Sequence, residues 1–173
     1  DPYLYTVNVE LWNQDSLVDT YQRRVGFREV RIEKDRLLLN GRPIFLQGFG
    51  KHEDFPVVGR GLVEPLIVKD FDLMRWMGAN SFRTSHYPYA EEWYEYADRA
   101  GVLVIGETPF VGLNDRMLTR EMFGQMKDVL SEMIRRDHEH PSVIMWSVGN
   151  EPTIRSDSGH NFFRELLARA RSL

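Results

Sequence analysis

Half of a β/α barrel, preceded by the last strands of an antiparallel β-sandwich, is the α/β architecture this sequence predicts. Three observations lead there. The opening segment alternates apolar and polar residues, as a half-buried antiparallel strand does. From Leu37 onward short apolar strands alternate with amphipathic helices, the pattern of βαβ units around a parallel sheet. The rarer polar residues His, Arg and Glu recur just after the strands, at the end where barrel sites are built.

Within Tyr3 to Trp12, Tyr5, Val7, Val9 and Leu11 alternate with more polar neighbours. Asn13 to Ser16 supplies turn chemistry, and Val18 to Gly26 and Phe27 to Ile32 continue as strand pieces. Two or three strands do not make a stable sheet, so residues 1–32 read as the end of a sandwich whose earlier strands lie elsewhere. Asn40-Gly41 between Leu37-Leu38-Leu39 and the run from Arg42 is a hairpin signal, and the second strand is expected to run on into Gln47-Gly48-Phe49-Gly50. Residues 33–173 then read as barrel strands one to four with their helices.

Pro65 suits the first turn of a helix with Ile67, Phe71 and Met74 on its apolar face and Gly78 as its stop. Asn80 to Ser85 is the next strand. Ala90 to Ala100 is a helix with Trp93, Tyr96, Ala97 and Ala100 on one side and Gly101 at its end, and Val102 to Ile105 is the following strand. Thr119 can cap a helix in which Phe123, Met126, Leu130 and Met133 keep three-to-four spacing. Val143 to Pro152 is the fourth strand, and Asp157 or Ser158 can cap a last helix with Phe162, Phe163, Leu166, Leu167 and Ala170 on its buried side. No Gly-x-Gly-x-x-Gly opens a helix, which disfavours a nucleotide-binding sheet and favours the barrel. Four strands of an eight-stranded barrel expose edges and apolar interior, so the chain is expected to need the other half, or a partner, for solubility.

A net charge of -4 and a pI near 5.8 offer no electrostatic reason for a nucleic-acid or anionic-membrane partner. Arg135, Arg136, His138 and His140 fall where a helix should end and read as a solvated face complementing its dipole. With no cysteine there is neither a disulfide framework nor a thiolate metal site. The start, Asp-Pro-Tyr-Leu-Tyr, has neither methionine nor a signal pattern, which reads as an excerpt or a processed product. The compartment stays open, a soluble cytoplasmic chain being slightly preferred, and a full-length parent could be a homo-oligomer.

The stretch Val-Ile-Met-Trp-Ser-Val-Gly-Asn-Glu-Pro, from Val143 to Pro152, is an apolar run that stops at an amide, a carboxylate and a proline. Strand parity places Val143, Met145, Ser147, Gly149 and Glu151 on one side, with small residues suited to a barrel interior, and Trp146 on the helix side. Glu151 would point into the barrel mouth, and Asn150 would join it only where the strand bends or bulges. A glutamate there can act as general acid and then base, but glycoside hydrolysis usually needs two carboxyl groups. Glu107 is the nearest second carboxylate and Asp54 a weaker one; Glu107 reads better as holding Arg83 or a backbone amide than as a nucleophile. Arg83 either makes that salt bridge or orients a catalytic carboxylate. His52, Glu53, Asp54 and His86 fit a metal site poorly, lacking His-Glu-x-x-His spacing, and His52 serves as readily a sugar hydroxyl. Tyr87 and Tyr89 could stack a sugar or pack, whereas Trp146 reads as core. No metal or cofactor is expected.

Three segments carry a resemblance to glycoside hydrolase family 2, and most closely to its β-glucuronidase branch. They are Gly48 to Asp54 (Gly-Phe-Gly-Lys-His-Glu-Asp), Asn80 to Glu92 (Asn-Ser-Phe-Arg-Thr-Ser-His-Tyr-Pro-Tyr-Ala-Glu-Glu) and Trp146 to Pro152. The resemblance implies an immunoglobulin-like sandwich ending near Ile32, then a TIM barrel. It also implies retaining hydrolysis of a β-glucuronide through a covalent glycosyl-enzyme. Glu151 would be the acid/base, Asn150 the residue holding the sugar 2-hydroxyl, Arg83 the neighbour of the nucleophile, and His52 and His86 the lining of the sugar pocket. The family's nucleophilic glutamate and its Asn-x-Lys pair for the glucuronate carboxylate fall beyond Leu173. Gly106 stands where relatives commonly carry an acid, and Val111 to Thr119 is too short for a long active-site loop, which implies an open site for larger aglycones. The magnesium ligands of the β-galactosidase branch are not evident around Phe110 to Leu113. A β-galactosidase or β-mannosidase, or a noncatalytic carbohydrate-binding or structural fragment, are the competing readings.

Overall fold

The computed structural model describes residues 2–173. It contains three sheets, two antiparallel and one parallel. Strands β1 (Tyr5–Asn13) and β2 (Ser16–Val25) form a hairpin, with Tyr5 opposite Val25 and a bulge between Leu11 and Trp12. Both faces are largely exposed, including Tyr5, Val9, Leu11, Trp12, Val18 and Tyr21. Strands β3 (Val30–Glu33), β4 (Arg36–Leu39) and β5 (Arg42–Ile44) form the second sheet. Asn40 and Gly41 both take positive φ, 51° and 75°, in the turn between β4 and β5, which is what an Asn-Gly hairpin requires.

The second hairpin strand does not run on to Gly50 as the sequence suggested. β5 ends at Ile44, and β6 (Gly48–Lys51) belongs to the parallel sheet. Asn80 makes the junction: its side chain donates to the Phe45 carbonyl at 2.8 Å and accepts from the Gln47 amide at 2.7 Å. An apolar run cannot reveal such a switch, because both halves look equally strand-like.

β6, β7 (Ser81–Thr84), β8 (Leu103–Glu107) and β9 (Val143–Ser147) lie side by side in chain order, all parallel. Helices α1 (Glu64–Trp76), α2 (Glu91–Ala100) and α3 (Arg120–Asp137) make the crossovers, and α4 (Asp157–Arg171) follows β9. Pro65 sits in the first turn of α1, Gly101 ends α2 with φ 69°, and the Thr119 side chain accepts from the Met122 amide at the start of α3. The cap of α4 is Ser156, not Asp157 or Ser158; its side chain accepts from the Gly159 amide.

Two apolar clusters hold the helices against one face of the sheet. Ile67, Phe71 and Met74 of α1 and Trp93, Tyr94 and Ala97 of α2 bury against Phe82, Val104 and Val143. Leu113, Met126, Leu130, Met133, Ile134 and Leu166 bury together between α3 and α4. Trp146 packs against both clusters, as its helix-facing position predicted. Val143 departs from strict alternation. The register moves from Val104 opposite Val143 to Ile105 opposite Met145, so a bulge at Ile144 puts Val143 on the helix side.

Gly106 leaves room for Trp146: a Cβ there would lie 2.8 Å from Cζ3 and 2.9 Å from Cε3 of the indole. Gly106→Ala is therefore expected to destabilise the fold by about 1–3 kcal/mol, the usual cost of overpacking a core. A lowered urea midpoint checks it, and an unchanged midpoint would contradict the contact. The cations near the end of α3 are not a simple solvated face. Arg136 pairs with Asp137 and donates to the Tyr89 carbonyl at 2.8 Å, and the His140 Nδ1 lies 2.7 Å from Asp98.

Candidate active site

The inner face of the parallel sheet carries Arg83 on β7, Glu107 on β8 and Ser147 on β9, all near the C-terminal ends of their strands. Gly50 on β6 keeps this corner open, because a Cβ there would come within 2.5 Å of Ser85 Oγ and 3.5 Å of Arg83 Nη2.

Glu107 is fully buried and is the hub of the cluster. Its Oε1 is 2.6 Å from His86 Nδ1, and its Oε2 accepts from Ser147 Oγ at 2.8 Å and lies 3.4 Å from Arg83 Nε. The Glu107 amide in turn donates to Thr84 Oγ1 at 2.9 Å. A buried carboxylate needs such charged and polar partners. The sequence reading of Glu107 as an anchor for Arg83 matches this contact. The contact with Glu107 uses His86 Nδ1 and leaves Nε2 outside it.

Arg83 also reaches towards Asn150, with Nη2 3.4 Å from Oδ1. The expected regular strand does not extend that far: β9 stops at Ser147, and Glu151 adopts φ 48°. Strand parity therefore ceases to govern Asn150 and Glu151, and Asn150 is the one directed at Arg83. Of the other non-glycine residues with positive φ, Gln14, Lys34 and Asn40 lie in tight hairpin turns, and Val57 lies between β6 and α1 in the turn closed by the Phe55–Gly59 bridge. Glu151 lies in a strand-to-helix loop. A left-handed conformation costs a non-glycine residue about 1–3 kcal/mol and persists where surrounding contacts impose it. Glu151 is exposed and follows directly on Asn150, the residue that Arg83 of the Glu107 network reaches.

His52, just after β6, is exposed and stands edge-on to His86 with ring centroids 5.3 Å apart. Tyr87 is half-buried beside it, its hydroxyl accepts from the Glu53 amide at 3.1 Å, and burial raises its pKa. Arg60 lies over the Tyr87 ring at 3.8 Å and 3.4 Å from Asp54, whose other oxygen lies 3.9 Å from His52 Nδ1, so Asp54 stands between Arg60 and His52 without touching Glu107 itself. Tyr89 is packed in the core, its hydroxyl bonded to the Lys51 carbonyl. Burial also raises the Glu53 pKa, against a hydrogen bond from the Ala90 amide that lowers it. Among the described residues no group of three or more His, Asp or Glu side chains is placed to hold a metal ion.

Sequence reasoning missed Ser85 and Ser147 as supports of Arg83 and Glu107. Ser147 had a usable signal, since it shares parity with the inward positions near the strand end. It also missed the loop after β8, which lies along the loop after β9. The Asn150 amide donates to the Phe110 carbonyl at 2.8 Å, the Gly112 amide to the Asn150 carbonyl at 2.9 Å, and the Thr153 amide to the Leu113 carbonyl at 2.7 Å. A cavity of about 400 Å³ between β2 and α2, lined by Arg23, Arg24, Glu91, Asp98, Arg99 and His140 among others, includes none of the site residues. No helix among the described residues is long and apolar enough to cross a membrane.

The family described as "Glycosyl hydrolases family 2, TIM barrel domain" matches residues 30–173, and "Glycosyl hydrolases family 2" matches residues 1–28. A β-glucuronidase of Paenibacillus borealis is 49% identical over 182 residues, an alignment covering 99% of this chain and 30% of that protein. The human β-glucuronidase is 45% identical over 175 residues, covering 99% of this chain and 27% of that protein. Among solved structures, Ruminococcus gnavus β-glucuronidase in complex with D-glucuronic acid superposes with a TM-score of 0.89 at 46% identity, covering 98% of this chain and 29% of that one. The same enzyme with a C6-substituted uronic isofagomine gives 0.91 at 46% identity, covering 98% and 30%. The chain thus spans less than a third of the length of these relatives. The half-barrel of four parallel strands, the antiparallel strands before it and these matches have one meaning: the chain belongs to glycosyl hydrolase family 2.

Proposed function

We propose that this segment supplies one half of the active site of a retaining β-glucuronidase, with Glu151 as general acid and base. The observation that supports it most is the contrast between two carboxylates. Glu107 is buried and engaged by Arg83, His86 and Ser147, whereas Glu151 is exposed at the strand ends in a strained loop conformation. The first suits a fixed scaffold and the second a group that exchanges protons.

In this reading the substrate is a β-glucuronide. Glu151 protonates the departing aglycone oxygen while a second carboxylate, from a barrel strand beyond residue 173, attacks the anomeric carbon. Glu151 as carboxylate then takes a proton from the water that releases the sugar. Asn150 holds the 2-hydroxyl, Arg83 flanks the nucleophile, and His52, His86 and Tyr87 line the sugar site. Asp54 belongs to the rim through Arg60. Residues 1–32 complete a sandwich domain, and residues 33–173 form barrel strands one to four. The short loop after β8, lying along the Glu151 loop, leaves room for a large aglycone.

The test is the stereochemistry of turnover. A full-length protein carrying this segment is expected to hydrolyse 4-nitrophenyl β-D-glucuronide and to release the β-anomer first, seen by proton NMR. The 173-residue chain alone is expected to show no turnover. Initial release of the α-anomer would overturn the retaining mechanism, and preference for the corresponding galactoside or mannoside would overturn the sugar assignment.

A further inference from the structure

Asp115 lies in the loop after β8, at the start of a single 3-10 turn, Asp115–Met117. Its carboxylate reaches across to the loop that carries Glu151. One oxygen accepts from the Arg155 amide at 2.9 Å; the other accepts from the Ser156 amide at 3.3 Å and from the Ser156 hydroxyl. The same Ser156 hydroxyl accepts from the Gly159 amide at 3.0 Å and so caps α4. Packing here is close: a Cβ on Gly159 would lie 2.7 Å from Asp115 Oδ1.

Glu151 therefore sits in an arch with two fastened ends. On one side, Asn150 is bonded to Phe110 and Gly112. On the other, Thr153 is bonded to Leu113, and Asp115 holds Arg155 and Ser156. Leu113, between these fasteners, is buried in the cluster of α3 and α4, so the loop after β8 is itself anchored. A left-handed φ at Glu151 needs such over-determination by its surroundings. The hydrogen bonds from Ser156 and the Arg155 amide, with a smaller effect of His160, hold the Asp115 carboxyl below its ordinary range.

We propose that Asp115 is a positioning residue for Glu151, setting the carboxyl group of the acid/base loop through Arg155 and Ser156. This inference rests on the reading of Glu151 as general acid. A proton donor displaced by about 1 Å forfeits up to about a hundredfold in rate. The loss should appear only where protonation of the leaving group matters.

The experiment compares Asp115→Ala, Asp115→Asn and Glu151→Gln in a full-length enzyme carrying this segment. Each is assayed on an alkyl β-glucuronide and on 2,4-dinitrophenyl β-glucuronide, and kcat/KM is read because it reports the first chemical step. For Asp115→Ala, kcat/KM on the alkyl substrate is expected to fall about 10- to 100-fold, with the dinitrophenyl substrate nearly unaffected. Asp115→Asn keeps an oxygen for Ser156 but presents an amide to the Arg155 N–H, so it should fall between wild type and Ala. Equal loss on both substrates would make Asp115 merely structural and overturn the proposal, as would no loss in either variant. If the Ala protein does not fold, the Asn variant decides by the same criterion. Glu151→Gln separates the two ideas: without leaving-group selectivity there, the acid/base reading itself falls and this proposal with it. Selectivity for Glu151→Gln but for neither Asp115 variant removes this inference alone.

Discussion

Glu151→Gln in the full-length enzyme should lower kcat/KM for glucuronides with poor leaving groups by about 10²–10⁴-fold, the range in which general acid catalysis operates. Dinitrophenyl glucuronide should be nearly spared, because its phenolate leaves without a proton. Glutamine matches glutamate in shape, and the Glu151 side chain is exposed, so the arch around it should keep its geometry. The deglycosylation step also loses its base. Activated substrates should then accumulate the glycosyl-enzyme, and added azide, a nucleophile that needs no deprotonation, should raise their kcat. Rates measured across a series of aglycone pKa values check this directly. A uniform loss across the series would argue against Glu151 as the acid.

Removing the buried carboxylate should cost more in stability than in any single contact. Glu107→Ala leaves Arg83 and His86 without their common partner and Ser147 with only the more distant Gly149 carbonyl, at 3.3 Å, as acceptor. Breaking a buried ion pair by deleting one side typically destabilises by 3–5 kcal/mol; since Arg83 is partly open to solvent, the lower end, about 3 kcal/mol, is expected. Activity should fall as well, because Arg83 would lose the bond that directs it towards Asn150. Glu107→Gln keeps an acceptor oxygen and the shape but not the charge, so it should retain more stability than Ala. Urea unfolding of the full-length enzyme and kcat/KM on a nitrophenyl glucuronide measure the two effects. If Glu107→Ala unfolds like the wild type, the hub is not what holds Arg83 and His86.

Much of the fold was legible in local pattern. Helical spacing located Ile67, Phe71 and Met74 on one face of α1, and Met126, Leu130 and Met133 among the buried residues of α3. Thr119, Pro65 and Gly101 marked helix ends because their roles depend on backbone groups within a few residues. The candidate site was legible as a set of residue types at strand ends. Its wiring was not, because the bonds that organise it join positions far apart in sequence: Arg83 to Asn150, separated by 67 residues, and Ser147 to Glu107, by 40.

The alternation of strands and helices, the apolar helix faces, the end signals Pro65, Gly101 and Thr119, and the placing of His52, Arg83 and Glu107 at strand ends were determined by the sequence itself, since each follows from periodicity or turn chemistry over a short window. Only the tertiary structure decided the break between β5 and β6, the bulge at Ile144, the left-handed Glu151 and the bonds from Asp115 to Arg155 and Ser156. Each of these is a compromise between segments that meet only when the sheet assembles. A short window records which residues avoid water, while the partner that satisfies a buried charge or imposes a strained φ comes from another strand or loop.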